Sequence, residues 1–530
     1  MKKKLHGISL VRRLTQAAFF ILFIVLFLET ESKGADVLGT PVKLFLDFDP
    51  LLLVSTFLSA HSVPAAFLWA LLLVAVTAVL GRVFCGWACP LGTLNDWVGM
   101  LKRGPDRPKN RKGWYRVKYL LLAGVLAASL FGFQVAGFLD PLCLTVRSLA
   151  LGVYPALNYG LNGVLAALYR PDWAPLTAVA DGVHWALSHS LLAFRQPFFQ
   201  QGFLITLLFL LVLGLNLMER RFWCRYLCPL GALLGLCSRY ALLKRCTNDA
   251  CTACGACETA CPGGALKEDG TAWTPSECFA CWSCDRACPT GGVKFGFSAK
   301  PSATQLDLGR RRMLGAAAAG VAAVAAARVT PAFMPGHPEP LLIRPPGSLP
   351  EKEFLARCVS CGECMKVCIT GGLQPCLFEA GFEGLWTPKL VPRVGYCEYR
   401  CTLCGQVCPT QAIRRLSVEE KAKTRIGTAF IDKGRCLPWA HATPCIVCEE
   451  VCPTPKKAIW FEPSTARDRE GNPVEVKQPR VDLDLCVGCG ICETKCPVVG
   501  LPAITVASLG ESRSQENQLL LSTGEGYGYS

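Results

Sequence analysis

Eight cysteines between residues 251 and 288 fall into two runs, Cys251, Cys254, Cys257, Cys261-Pro262 and Cys278, Cys281, Cys284, Cys288-Pro289. Three thiolates in one tight loop can hold three irons of a cubane, while a fourth, turned away by its proline, reaches the neighbouring cluster. That logic assigns Cys251, Cys254, Cys257 and Cys288 to one 4Fe-4S cluster, and Cys278, Cys281, Cys284 and Cys261 to another. Zinc generally takes two C-x-x-C pairs instead of a triple followed by C-P.

Four further runs follow: Cys358, Cys361, Cys364, Cys368; Cys397, Cys401, Cys404, Cys408; Cys436, Cys445, Cys448, Cys452; and Cys486, Cys489, Cys492, Cys496. Three end in Cys-Pro, whereas Ile369 follows Cys368. The third carries eight residues between its first two cysteines, "CLPWAHATPC", which makes Cys436 the least secure ligand. Exchange of the fourth cysteines could join the first run to the fourth and the second to the third, or join consecutive runs. Either scheme gives four clusters here and six in all.

A third kind of motif is duplicated: "RVFCGWACPLGTL" at 82–94 and "RFWCRYLCPLGAL" at 221–233. If Cys85, Cys89, Cys224 and Cys228 converge, four thiolates suffice for a seventh cluster or for two redox-active thiol pairs. The bland alternative is small packing residues at helix ends.

The elements that must position these cysteines divide into two kinds. The chain is 51% hydrophobic and only 18% charged, too apolar for an ordinary soluble protein. Stretches at about 14–28, 64–80, 119–139 and 202–218 approach the ~17–25 residues of a membrane helix, giving four expected spans. Pro64 separates an interfacial or re-entrant piece at 51–60. Basic residues gather before the first span and after the second and fourth, among them Arg12, Arg13, Lys102, Arg103, Arg220 and Arg221, which places those ends in the cytoplasm. The formal charge of +15 therefore reads as loop charge beside lipid, not as a nucleic-acid surface.

Between the two cysteine-rich regions lies "DLGRRRMLGAAAAG", residues 307–320, with Arg310, Arg311 and Arg312 ahead of an Ala-rich, weakly apolar run. It has the form of a twin-arginine export segment, expected here to remain uncut as a fifth anchor. Cluster insertion is coupled to folding, so a domain with four clusters must cross a membrane already folded, as that route allows.

The region from about 10 to 296 resembles the NapH-type membrane ferredoxins, and that from about 308 to 505 resembles the NapG/MauM-type ferredoxins. NosR-like proteins share the membrane half. The resemblance implies a fusion of a multi-pass protein of the bacterial inner membrane with a periplasmic polyferredoxin, moving electrons from the quinone pool toward a periplasmic oxidoreductase or cytochrome.

The expected fold class is thus a membrane α-helical domain plus ferredoxin-like α+β 4Fe-4S domains. Its expected parts are 1–245, polytopic; 246–300, a cytoplasmic two-cluster unit; 301–350, anchor and linker; 351–508, polyferredoxin; and 509–530, a disordered tail. No C-x-x-C-H haem motif, flavin or nucleotide fingerprint or P-loop occurs, so no catalytic residue is expected. His61, His184 and His189 fall outside the spans and read as structural. Cys143, Cys237, Cys246 and Cys376 lie outside the motifs and receive no role. The expected function is electron transfer between the quinone pool or a cytoplasmic donor and a periplasmic oxidoreductase. The alternative is an assembly or regulatory redox protein for a partner metalloenzyme.

Overall fold

The structure, a computed structural model, describes residues 7–31, 38, 41–101, 113–171, 173–193, 195–267, 270–298, 308–328, 341–467, 470–515 and 517–518. Much of the basic loop after the second expected span, and residues 329–340 of the expected linker, lie outside the described residues.

The helical part comprises α1 (Gly7–Glu29), α2 (Pro50–Ala60), α3 (Trp69–Leu80), α4 (Pro90–Met100), α5 (Val117–Leu130), α6 (Pro141–Ser148), α7 (Gly202–Gly214) and α8 (Pro229–Ser238), with shorter turns and an added pair at Tyr154–Tyr169 and Ala174–Ser190. Among the described residues only α1 is long and apolar enough to cross a membrane by itself. Two of the other expected spans form the shorter apolar helices Ala65–Leu80 and Gly202–Leu217, and the stretch expected at 119–139 is interrupted. The reason is local chemistry inside the apolar runs. Helix α5 ends at Leu130 because Gly132 adopts φ 80° and donates to Ser129 while Phe133 donates to Ala128, a Schellman closure. Asp140 then caps α6 through the amides of Leu142 and Cys143. Asp49 caps α2 in the same way through Leu51 and Leu52. Each cap precedes a proline at the first helical position, so two Asp-Pro-Leu starts begin new helices beside the apolar runs.

The first cysteine-rich unit is closed by β1 (Leu243–Thr247) paired antiparallel with β2 (Val293–Phe297). Its boundary thus lies before Leu243, a few residues ahead of the expected 246. The second unit pairs β3 (Thr428–Ile431) with β6 (Ile504–Ala507), enclosing the last two motifs, and carries a long hairpin of β4 (Ile459–Arg467) and β5 (Pro473–Val481). Within the stretch expected to be disordered, Arg513 pairs with Glu351, and Asn517 is buried against Ser508. Residues 519–530 lie outside the described residues.

The two units sit at opposite ends of α1. Arg286 of the first unit reaches Ser9 at 3.5 Å, and Lys366 of the second donates to the carbonyl of Thr30 at 2.8 Å. Twenty-one helical steps separate those positions, roughly 32 Å at 1.5 Å per residue. Helix α5 repeats the arrangement, with Lys118 and Tyr119 bonded to Glu277 near its start. The arginine-led helix α9 (Arg310–Arg328) lies parallel to it, and Arg328 joins the Phe131 carbonyl to Glu383 at the far end. A Cβ at Gly320 would strike the backbone of Gly124, so the two helices meet through glycine.

Candidate functional site

Each cysteine loop is shaped by its backbone before its sulfurs matter. In four of the six motifs the residues flanking the second cysteine are left-handed: Ala253 and Gly255, Ala280 and Trp282, Ser360 and Gly362, Gly488 and Gly490. Successive turns of this kind aim backbone N–H groups into a concavity that suits an anionic group. A short helix then carries the third cysteine, as at Ser283–Ala287 and Ile491–Lys495.

Four recesses of about 320 to 420 Å³ are each lined by four cysteines. One gathers Cys278, Cys281, Cys284 and Cys261, the exchange expected from spacing. Cys257 lies within electrostatic range of Cys288, and Gly292 links Cys288 to Cys251 by donating to the Cys288 sulfur while packing on Cys251, consistent with the complementary set of Cys251, Cys254, Cys257 and Cys288. In the second unit the recesses hold Cys397, Cys401, Cys404 with Cys368; Cys486, Cys489, Cys492 with Cys452; and Cys436, Cys445, Cys448 with Cys496. Cys408 faces Cys358, Cys361 and Cys364. Of the two open pairing schemes, the structure therefore adopts the consecutive one. Cys436 joins its set despite the insertion, whose turn Leu437–Ala440 packs Trp439 beneath Arg480 and Lys433.

The donor sets fit iron-sulfur clusters. Among the described residues no three Cys, His, Asp or Glu side chains meet as closely as a single metal ion would require, whereas a cubane takes its four thiolates at separated corners. Burial pushes the thiols of Cys278 and Cys489 up to about 12. Four thiolates in such a place need a cation to hold them ionised, which iron supplies. Backbone amides already point at the fourth cysteines: Ala265 to Cys261 at 3.4 Å, Gly292 to Cys288 at 3.2 Å, Ile413 to Cys408 at 3.5 Å and Ala503 to Cys496 at 3.4 Å.

A set of threonines went unremarked in the sequence. Thr290, Thr370, Thr410 and Thr454 each stand two residues after a fourth cysteine and place a hydroxyl 3.3 to 3.8 Å from its sulfur. The signal was visible as C-P-T three times and C-I-T once.

The sites form a line. Cys397 donates its amide to the Cys489 carbonyl, joining the two cluster pairs of the second unit. At the other end of that unit, Cys361 shares an apolar cluster with Cys143, Cys85, Cys89, Cys224 and Cys228. Arg147 reinforces this junction by donating to Gly137 and Ser360. The same cluster includes Phe279 and Cys281 of the first unit, where Trp87 donates to Ala280 at 2.9 Å. The duplicated cysteines thus lie between the two units and converge, while Cys143, given no role by its sequence, lies beside Cys361. His184 and His189 are on the exposed helix Ala174–Ser190, and His61 ends α2.

Models of 4Fe-4S binding domains match residues 62–108 and 201–245, 247–267, and 478–502. Methylamine utilization ferredoxin-type protein MauM of Methylorubrum extorquens is 38% identical over 205 residues, 37% of this chain and 88% of the relative. Ferredoxin-type protein NapG of Escherichia coli is 33% identical over 33% of this chain and 73% of its own length. Methylamine utilization ferredoxin-type protein MauN of Methylorubrum extorquens is 28% identical over 47% of this chain and 73% of the relative. No solved structure matches.

Proposed function

Because the chain belongs to the ferredoxin-type family of MauM and NapG, we propose that it is a membrane-bound electron carrier with six 4Fe-4S clusters, two on the cytoplasmic side and four on the periplasmic side. It passes electrons between the quinone pool or a cytoplasmic donor and a periplasmic oxidoreductase or cytochrome. In this reading a NapH-type membrane ferredoxin is fused to a NapG/MauM-type one through α9.

One observation carries the proposal: the two cysteine-rich units bind opposite ends of α1, and the ~32 Å between them matches the ~30 Å hydrocarbon core of a bilayer. The parallel course of α9 beside α5 is what a chain crossing from the first unit to the second requires. The shorter apolar helices, including Ala65–Leu80 and Gly202–Leu217, would complete a bundle around α1. Their Lys and Arg flanks set its orientation.

The test is twofold. Clusters reduced in the purified, detergent-solubilised protein should be reoxidised rapidly by a quinone analogue. A reporter joined after residue 505 should be active only in its periplasmic form. Clusters that stay reduced with quinone and never change state while a partner enzyme turns over would favour the assembly role.

A further inference from the structure

The duplicated motif places an arginine three residues before its first cysteine in each copy, Arg82 before Cys85 and Arg221 before Cys224. Both guanidinium groups are buried, and both lie 4.8 Å from the centre of the Phe279 ring. Phe279 follows Cys278 in the first unit's cluster loop. Arg82 also donates to the Ser276 carbonyl and approaches Glu277 at 3.7 Å; Arg221 donates to the Cys85 carbonyl and to Asp96, each at 2.7 Å.

The four thiols are 4–8% exposed and within electrostatic range of one another. Donors converge on them: the Gly231 amide on Cys228 at 3.2 Å, the Asn95 amide on Cys224 at 3.5 Å, and Arg82 near Cys85 at 3.9 Å. A Cβ at Gly231 would lie 2.6 Å from the Arg82 guanidinium. Packing cysteines need no such donors; thiolates of a cluster do, because hydrogen bonds to sulfur offset its negative charge. Each matched segment supplies only two of these thiols, and a cubane takes four.

We propose that Cys85, Cys89, Cys224 and Cys228 hold one 4Fe-4S cluster shared between the two copies, and that Arg82 and Arg221 are positioning residues that fix it against Phe279. The proposal rests on the electron-transfer reading and supplies its missing middle, since among the described residues no other cysteine set lies between the two units. When an electron passes from the Cys278 loop to this site, the first is oxidised and the second reduced; no bond or proton changes.

The test uses the full chain purified anaerobically in detergent. Iron analysis with Mössbauer and EPR spectra should give about 28 irons, against about 24 for six clusters at four irons each. The Cys85→Ser/Cys224→Ser variant should lose about four irons and one signal while the other six persist. Arg82→Leu should keep its iron but move one signal to lower potential, and Arg82→Lys should restore it. About 24 irons in the wild type, with disulfides Cys85–Cys89 and Cys224–Cys228 recovered on mass spectrometry, would overturn the shared cluster and leave the six-cluster reading standing. Fewer than about 24 irons would count against both. The wild-type count decides the matter even where the cysteine variant fails to fold.

Discussion

The amide of Cys397 donates to the carbonyl of Cys489 at 2.8 Å, so a ligand loop of one cluster pair is pinned directly to a ligand loop of the next. The bond makes four cluster sites one continuous row instead of two independent ferredoxins. Which cysteines exchange is set within each pair, where Cys368 lines the recess of Cys397, Cys401 and Cys404, and Cys496 that of Cys436, Cys445 and Cys448.

Fourth-cysteine exchange is open to direct test. Cys408→Ser should alter the spectrum of the site held by Cys358, Cys361 and Cys364, and Cys368→Ser that of the site held by Cys397, Cys401 and Cys404. A serine ligand weakens a thiolate site without changing its size, so each variant should perturb one Mössbauer component and leave the others intact. Perturbation of the site held by Cys436, Cys445 and Cys448 by Cys408→Ser, or of the Cys486 set by Cys368→Ser, would mean the other pairing.

The threonine that follows each of four fourth cysteines should tune potential. At Thr410, 3.8 Å from Cys408, and at Thr454, 3.3 Å from Cys452, the hydroxyl favours the more negative, reduced cluster. Replacing either by valine removes about 1 kcal/mol of that preference, equivalent to roughly 40 mV for one electron. EPR redox titration should show a single midpoint displaced to lower potential in each variant, with iron content unchanged.

What the sequence disclosed was whatever is local. Three cysteines of a motif lie within one loop, so their spacing alone announces the cluster. The fourth acts through space, and no spacing between Cys368 and Cys496 distinguishes one exchange from another. Likewise, hydropathy reported the apolar runs but not where they break. The Gly132 closure is a single-residue event, yet it decides that Tyr119 to Leu139 is not one helix. Arg82 and Arg221 were read as loop charges or went unremarked; their burial against Phe279 depends on the folding of two distant segments onto a third.

A buried charge network should hold the start of the second unit together. Burial alone would raise the Glu351 carboxyl, but Arg344 and Arg513 bring it down to about 2. Its stabilising contribution is therefore complete above its ordinary value near 4.5 and lost only as pH falls through about 2. At neutral pH the full effect is present. Glu351→Gln would leave the fully buried Arg344 without its carboxylate, and about 1–2 kcal/mol should be lost, less than for a fully buried pair because Glu351 is itself partly exposed. The measurement is the thermal midpoint of the second unit's visible absorbance, with Arg513→Ala giving a smaller loss because that side chain is nearer solvent.

Helix α9 should be a permanent part of the fold rather than a leader that is removed. Its Gly320 meets Gly124 of α5 backbone to backbone, and its last residue, Arg328, bonds both Phe131 and Glu383. Those contacts tie the helical part to the second unit through a segment that cleavage would detach. Mass spectrometry of the purified protein should therefore find one uninterrupted chain across residues 310–328. Gly320→Leu would force the helices apart by the width of a side chain, losing several close contacts at once. The expected result is protease cutting within residues 310–328 in this variant, with that helix resistant in the wild type under the same conditions. Equal resistance of the two would show that the glycine contact does not hold α9 in place.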